Sequence, residues 1–248
     1  MNTLTQNIGY NTSNRYKVVT TQDIVDYLIP HGYTISTVQN SRVNKAEKQG
    51  FQKHIVRLRH PSMTESLKSF PEIVIVNSYD KSTSVKIMLG IYRLICSNGL
   101  IVGSTFEEYR VRHVGANILG QIKQYCDAII ASASKVNSIL SHWNSIQLPN
   151  NTIDMLYRQA ASLVMPDNAR LTSTYTPRRL GDTGNDLWSV FNVVQETAVR
   201  NGFSYLKTLH DPIQGDIEVK GRTRAIKAID RLVDVNKQLW NMAERLAA

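Results

Sequence analysis

Cysteine is nearly absent from this 248-residue sequence. Cys96 and Cys126 are the only two, and their separation fits neither a metal-ligand pair nor a disulfide framework, so a reducing compartment is expected. Also missing is any apolar run of the roughly 20 residues that a membrane-spanning helix needs. The opening MNTLTQNIGYNTSNRY has neither the basic nor the apolar segment of a secretion leader. A cytoplasmic location without a membrane partner is therefore expected. The marks of common enzyme classes are lacking too: no P-loop, dinucleotide glycine fingerprint, HExxH or GxSxG occurs. His54, His60 and Cys126 lack metal-ligand spacing. Asp80, Asp182 and Asp186 could gather around a metal as in a nuclease, but each sits where a turn or a helix cap favours Asp. A Cys96–His113 nucleophile pair is conceivable, yet Cys96 lies in an apolar run, where a thiol packs. The expectation is a protein without enzyme activity and without a cofactor.

Acidic residues are the other shortage. Twenty Asp and Glu face 29 Lys and Arg, giving a net charge of +9 and a pI near 9.6. The excess is uneven: residues 1–115 hold 14 cations against 8 acids, and residues 116–248 hold 15 against 12. Such a balance favours a polyanionic partner, nucleic acid first and an anionic membrane surface second; solubility alone is the simpler account.

What is present is organised around residues 72–103. A β-branched run at 72–76 is followed by turn residues Asn77 to Ser82, an apolar stretch at 84–95, and a second turn, Ser97-Asn98-Gly99, that returns into Leu100-Ile101-Val102. Asn98-Gly99 is a strong hairpin signal, because a type I′ turn needs positive φ at both central residues. The stretch 84–95 also fits a helical stripe through Val85, Met88, Leu89, Tyr92 and Ile95. Upstream, residues 1–14 read as a mobile or partner-borrowed arm. Thr20 and Asp23 have capping-box spacing before a short helix that Pro30 and Gly32 end, and residues 33–43 and 51–60 alternate as strands.

The strand at 51–60 carries the first charge pattern. At period two, Lys53, Ile55, Arg57 and Arg59 share one face, and His54, Val56, Leu58 and His60 share the other. Six Lys and Arg and a single acid, Glu47, lie between Arg42 and Arg59, which suits a ridge tracking a phosphate backbone. A solvated edge strand protected by its cations would look alike. A further strand at 104–113 would extend the cationic face through Arg110 and Arg112, unless these pair with Glu107 and Glu108.

Past Gly115 the pattern becomes helical. One long helix is expected to about Ile146, another from Asn151 or Thr152 to Pro166, a third over 186–201 stopped by Gly202, and a last one over 224–247. Between them, 167–184 is a loop whose Arg178-Arg179 pair could clamp a phosphate, although an ordinary polar loop is the commoner meaning, and 204–223 is a linker or short hairpin. Lys220, Arg222, Arg224 and Lys227 gather where the last helix should begin, an unfavourable place for cations unless an anion is near. The resulting fold class is α+β. An antiparallel sheet in the N-terminal half packs against long helices from the C-terminal half, divided as an arm at 1–14, a sheet-rich core at 15–115 and a helical part at 116–248, together one compact domain.

The segments NSYDKSTSVKIMLGIYRLICSNGLIVG, RVRHVGANI, LWSVFNVVQETAVRNG and NKQLWNMAE resemble the phage- and plasmid-encoded domain-of-unknown-function family of DUF932 type, over roughly residues 71–248. The resemblance implies mobile-element biology in a phage-infected or plasmid-bearing bacterium, where handling of single-stranded DNA and counter-defence are common tasks. In architecture only, strands followed by a long helix are loosely similar to Rad52-type single-strand annealing proteins, which implies a homo-oligomer. The leading expectation is thus a nucleic-acid-binding protein that favours single-stranded DNA in annealing, recombination or protection. Lys53, Arg57, Arg59, Arg110 and Arg112 would hold phosphates, and Tyr79 and Tyr92 would offer stacking faces. The alternative is a protein-binding anti-defence or virion-associated module directed at a host or phage protein.

Overall fold

The computed structural model describes residues 3–60, 69–93, 99–101, 108–133, 135–178, 182–211, 213 and 215–248. The fold is α+β, and the chain divides into two compact units, Met1–Asn137 and Ser138–Ala248.

In the first unit, helix α1 (Thr21–Leu28) opens with the expected capping box. The Asp23 N–H donates to the Thr20 hydroxyl at 3.0 Å and the Thr20 N–H to the Asp23 carboxylate at 3.2 Å, so Asp serves where Glu or Gln is usual. The antiparallel sheet runs β1 (Thr34–Asn40), β2 (His54–Arg59), β3 (Ser69–Asn77), β4 (Val85–Arg93) and β5 (Gly99–Ile101), with β6 (Glu108–Val111) also paired to β4. β6 takes the Val85–Met88 end of that edge and β5 the Gly90–Tyr92 end. The described part of the ambiguous stretch, Val85–Arg93, is therefore a strand, hydrogen-bonded along both edges. Asn98 lies outside the described residues.

Helix α2 (Ile118–Ala133) packs on β3, β4 and β6, burying Ile118, Ile122, Cys126 and Ile129. The Tyr125 ring stacks on Tyr109 of β6 at 4.1 Å, and the Tyr27 hydroxyl donates to Asp127 at 2.7 Å, which ties α1 to α2. Both faces of β3 are buried: Ile73 and Ile75 on one, Glu72, Val74 and Val76 on the other. This accounts for its unbroken β-branched run in place of alternation. The N-terminal segment is not a free arm. Thr3 and Leu4 are buried, the Gln22 N–H donates to the Leu4 carbonyl, and the Tyr10 N–H donates to that of Tyr79.

The second unit has its own core. The long helix expected to Ile146 is helical on both sides of residue 134, which lies outside the described residues, as α2 and α3 (Lys135–Ser145), and the boundary between the units falls inside α3. Helices α4 (Asn150–Ser162), α5 (Leu187–Glu196) and α6 (Ile229–Ala247) accompany a three-stranded sheet, β7 (Ala169–Leu171), β8 (Ser204–Asp211) and β9 (Gly215–Arg222), in that order. Four aromatic side chains fill its centre: Trp143 stacks on Trp240 at 4.1 Å and meets Phe191 edge-on at 5.5 Å, with Trp188 at 6.2 Å. Asp186 caps α5 by accepting from the Ser189 N–H at 2.9 Å. The helix continues as one π-turn, Thr197–Asn201, and stops at Gly202.

Candidate functional site

The cationic strand face expected for phosphate does not form an open surface. The alternation itself holds: His54, Val56 and Leu58 are fully buried on one side of β2, and Ile55, Arg57 and Arg59 lie on the other. What the strand pattern could not supply is the neighbour. Glu72 stands opposite Arg59 on β3, is 1% exposed, and draws in both arginines. Arg59 Nη2 donates to its carboxylate at 2.9 Å, and Arg57 Nε lies 3.6 Å from the other oxygen. A β-bulge between Ile35 and Thr37 adds the Ser36 hydroxyl at 2.9 Å, and Arg57 also donates to Thr37 at 3.0 Å. Arg57 and Arg59 hold the sheet together, and the reading of them as phosphate contacts is corrected.

The other expected residues divide similarly. Arg110 is exposed but donates to Glu108 at 2.7 Å, and Arg112 is exposed just past β6. Tyr79 cannot stack on a base, because it is fully buried. Its hydroxyl accepts from the Thr21 N–H at 2.8 Å and lies 3.1 Å from the Thr21 hydroxyl and 3.3 Å from the Leu4 carbonyl. The Tyr92 side chain and all of Arg179 lie outside the described residues, as do Cys96 and Glu107. The last helix begins at Ile229, not at 224, so no cation cluster crowns its N-terminus. Lys220 and Arg222 are in β9, and Arg224 precedes α6 in the connecting segment; all three are exposed. Asp80 accepts from the Ser82 N–H at 3.1 Å and Asp186 caps α5, the turn and cap roles that their positions favour.

Cations converge instead at the end of the β1–β2 hairpin. The Ser41 N–H donates to the Lys53 carbonyl, a single 3₁₀ turn spans Ala46–Lys48, and Gly50 adopts φ +94° so that its N–H meets the Gln52 side chain. The Tyr79 N–H donates to the Phe51 carbonyl, which fixes this loop against the turn at 78–83. Between them lies a cleft of about 470 Å³. Arg42, Lys45, Lys48 and Lys53 line it, against one carboxylate among the described residues, Asp80. Arg42 and Lys45 are exposed, while Lys48 reaches Asp80 at 3.9 Å and stands 5.7 Å from the Tyr10 ring centre. Three of these cations, all but Lys53, were legible only as part of the basic run between Arg42 and Arg59.

A second opening, of about 410 Å³, belongs to the other unit and joins two expected residues that are distant in sequence, Arg178 and Arg222. The remainder of its wall is largely hydroxyl-bearing: Ser173, Thr174, Thr176 and Ser204 among others. Sequence reasoning passed over these, although the run Thr172-Ser173-Thr174-Tyr175-Thr176, separated from Arg178 by Pro177 alone, was the available signal.

Burial favours the neutral forms of His54, His113 and Cys126. His54 has its Nδ1 at 3.1 Å from the Gln52 carbonyl, which requires the proton on Nδ1, and its Nε2 at 2.7 Å from the Thr21 hydroxyl, which then donates. Burial lowers the pKa of His54 and of His113 from 6.5, and raises that of the Cys126 thiol to about 12.

Fold and clefts together define an α+β protein of two units whose cation-lined openings suit anions. Its sequence matches the family described as Domain of unknown function (DUF932) over residues 11–240, and the chain belongs to that family. Among its relatives, the UPF0380 proteins YfjQ and YafZ of Escherichia coli (strain K12) are each 30% identical over 239 residues, covering 94% of this chain and 83% of the relative. No solved structure matches the chain. Among the described residues no helix is long and apolar enough to cross a membrane.

Proposed function

We propose that this is a nucleic-acid-binding protein without catalytic activity, of phage or plasmid origin, that holds the backbone of single-stranded DNA at the β1–β2 hairpin end during annealing, recombination or protection. The observation that supports it is the cleft in which Arg42, Lys45, Lys48 and Lys53 face one carboxylate. Its walls are loop and turn, so a backbone passing there would keep its base edges free. Tyr10, half-buried beside Lys48, takes the stacking role that the burial of Tyr79 removes. Assembly of several copies on one long strand goes with annealing, and the resemblance to Rad52-type proteins is the reason to look for it.

A fluorescent single-stranded oligonucleotide titrated at rising salt tests the reading, with a duplex of the same sequence alongside. Expected are tighter binding of the single strand, a steep fall in affinity between about 50 and 200 mM salt, and a mass increase to an oligomer on long strands. Absence of binding at the lowest salt refutes it. One feature favours the alternative of a protein-binding module: Leu209 and Val219 stand exposed on one face of the β8–β9 hairpin, with Ile213 exposed at its turn. That alternative gains if Leu209→Ser and Val219→Ser abolish capture of a host or phage protein while oligonucleotides fail to bind.

A further inference from the structure

We propose that the opening lined by Arg178 and Arg222 is a binding site for a phosphate monoester, carried either by a free nucleotide or by the end of a nucleic-acid strand. Four observations within the second unit lead there.

The first is charge. Arg178 and Arg222 both line the opening, no Asp or Glu does, and neither arginine forms an ion pair among the described residues. Two guanidinium groups match the dianion of a phosphate monoester, and their planar forks suit its oxygens.

The second is hydrogen-bonding capacity. The Ser173 oxygen accepts from the Tyr157 hydroxyl at 3.1 Å and from the Ser204 N–H at 3.1 Å. With both lone pairs engaged, its own proton is left to donate. The hydroxyls of Thr174 and Ser204 have no hydrogen-bond partner among the described residues, so they add two further donors. Phosphate offers more acceptor sites than a carboxylate does, and a wall of donors with two cations is complementary to it.

The third is how the wall is built. Thr197 and Gly202 bracket the π-turn that ends α5, and both line the opening. Gly202 adopts φ +82° and ψ 150°, which only glycine takes readily, and a Cβ there would lie 2.1 Å from the Thr223 carbonyl oxygen. Strand β8 starts two residues later, with Ser204 opposite Arg222 in the ladder. The tight turn therefore sets the Ser204 hydroxyl beside the Arg222 side chain. Backbone constrained in this way, next to a π-turn, commonly accompanies function.

The fourth is size. About 410 Å³ exceeds the room one phosphate needs and falls in the range of small-ligand sites. Space remains for the group to which the phosphate is attached, with the Tyr157 ring on one wall.

The test uses the full chain and two matched pairs of probes: adenosine 5′-monophosphate against adenosine, and a ten-nucleotide strand with a 5′-phosphate against the same strand with a 5′-hydroxyl. Binding is followed by calorimetry or by tryptophan fluorescence. In at least one pair the phosphorylated probe is expected to bind about tenfold more tightly, consistent with charge-assisted contacts to two arginines. The Arg178→Gln/Arg222→Gln double variant, whose altered side chains are exposed and whose melting curve should match the parent, is expected to lose that preference. The Arg42→Gln/Lys45→Gln variant should keep it, which separates this site from the hairpin cleft. Preference in the nucleotide pair identifies a free ligand, and preference in the strand pair a nucleic-acid end. No preference in either pair, or a preference that survives in the double variant, overturns the proposal.

Discussion

Cations of one β-hairpin meet two fates. Arg57 and Arg59, in the middle of β2, turn onto buried Glu72, whereas Arg42 and Lys45, in the loop that precedes the strand, stand exposed around a cleft with one carboxylate. Charge density along the sequence is similar in both places, so the residue that lies across the ladder decides which cations remain for a ligand. The comparison breaks most directly at Glu72. Replacing it by Gln leaves two arginines, 13% and 26% exposed, without this counter-charge, and the expected loss is about 3 kcal/mol of folding stability in urea denaturation. A loss under about 1 kcal/mol would mean that water already solvates the pair, and would return the β2 face to consideration as a binding surface.

Gly202 sharpens the same contrast in the second unit, where Arg178 and Arg222 form no ion pair among the described residues. Gly202→Ala must place a methyl group against the Thr223 carbonyl in a backbone conformation that L residues rarely adopt. About 2–4 kcal/mol of stability should be lost, read as a lowered melting temperature. Ala at this position without cost would show that the turn relaxes freely and that it does not hold Ser204 and Arg222 in place.

The inward side of β2 supplies a third fate, charge kept away altogether. Desolvation lowers the pKa of His54 and of His113 below 6.5 in the folded chain. His113 Nε2 is moreover buried without a hydrogen-bond partner among the described residues, so a proton there would have no acceptor. The unfolded chain then binds more protons than the folded one below pH 6.5. Stability contributed by neutral imidazoles is complete above that pH and is lost as pH falls, by up to about 1.4 kcal/mol per pH unit for each ring. Denaturation curves between pH 7 and pH 5 should show this slope, and His113→Phe should flatten it. An unchanged slope in that variant would place the titration elsewhere.

Much of the first unit was legible because its signals are local. The capping box at Thr20 and Asp23, the period-two alternation of β2 and the hydrophobic run of β3 each depend on a few adjacent residues and on backbone geometry. Glu72 opposite Arg59 depends on a register between two strands, and nothing within either strand specifies it. Tyr79 was misread for a related reason: Asn77 to Asp80 has turn composition, which usually means exposure, but the turn folds inward onto Thr21 and Leu4. The last helix starts late because the chain before it is tied elsewhere: the Thr223 hydroxyl accepts from the Phe203 N–H, and the Thr223 and Ile226 N–H groups donate to the Phe203 and Val199 carbonyls, whereas helical composition alone extended it back to Arg224. Arg178 and Arg222 come to one opening only through the pairing of β7 with β8 and of β8 with β9, a long-range arrangement that the single sequence does not encode in any one window.

The smallest expected effect discriminates most finely between the two classes of cation. Each phosphate contact on a single strand contributes about 0.7 to the slope of log affinity against log salt. Arg42→Gln and Lys45→Gln should each lower the slope by about that amount, since both side chains are exposed at the cleft. An Arg57→Met/Arg59→Met/Glu72→Leu triple variant, which exchanges the whole charged cluster for apolar side chains of similar size, should leave the slope unchanged. Both variants must be compared at several salt concentrations, because at a single one a steric loss and an electrostatic loss look alike. If the apolar exchange lowers the slope and the loop variants do not, the phosphates run along β2 after all, and Glu72 serves to hold Arg57 and Arg59 ready for them.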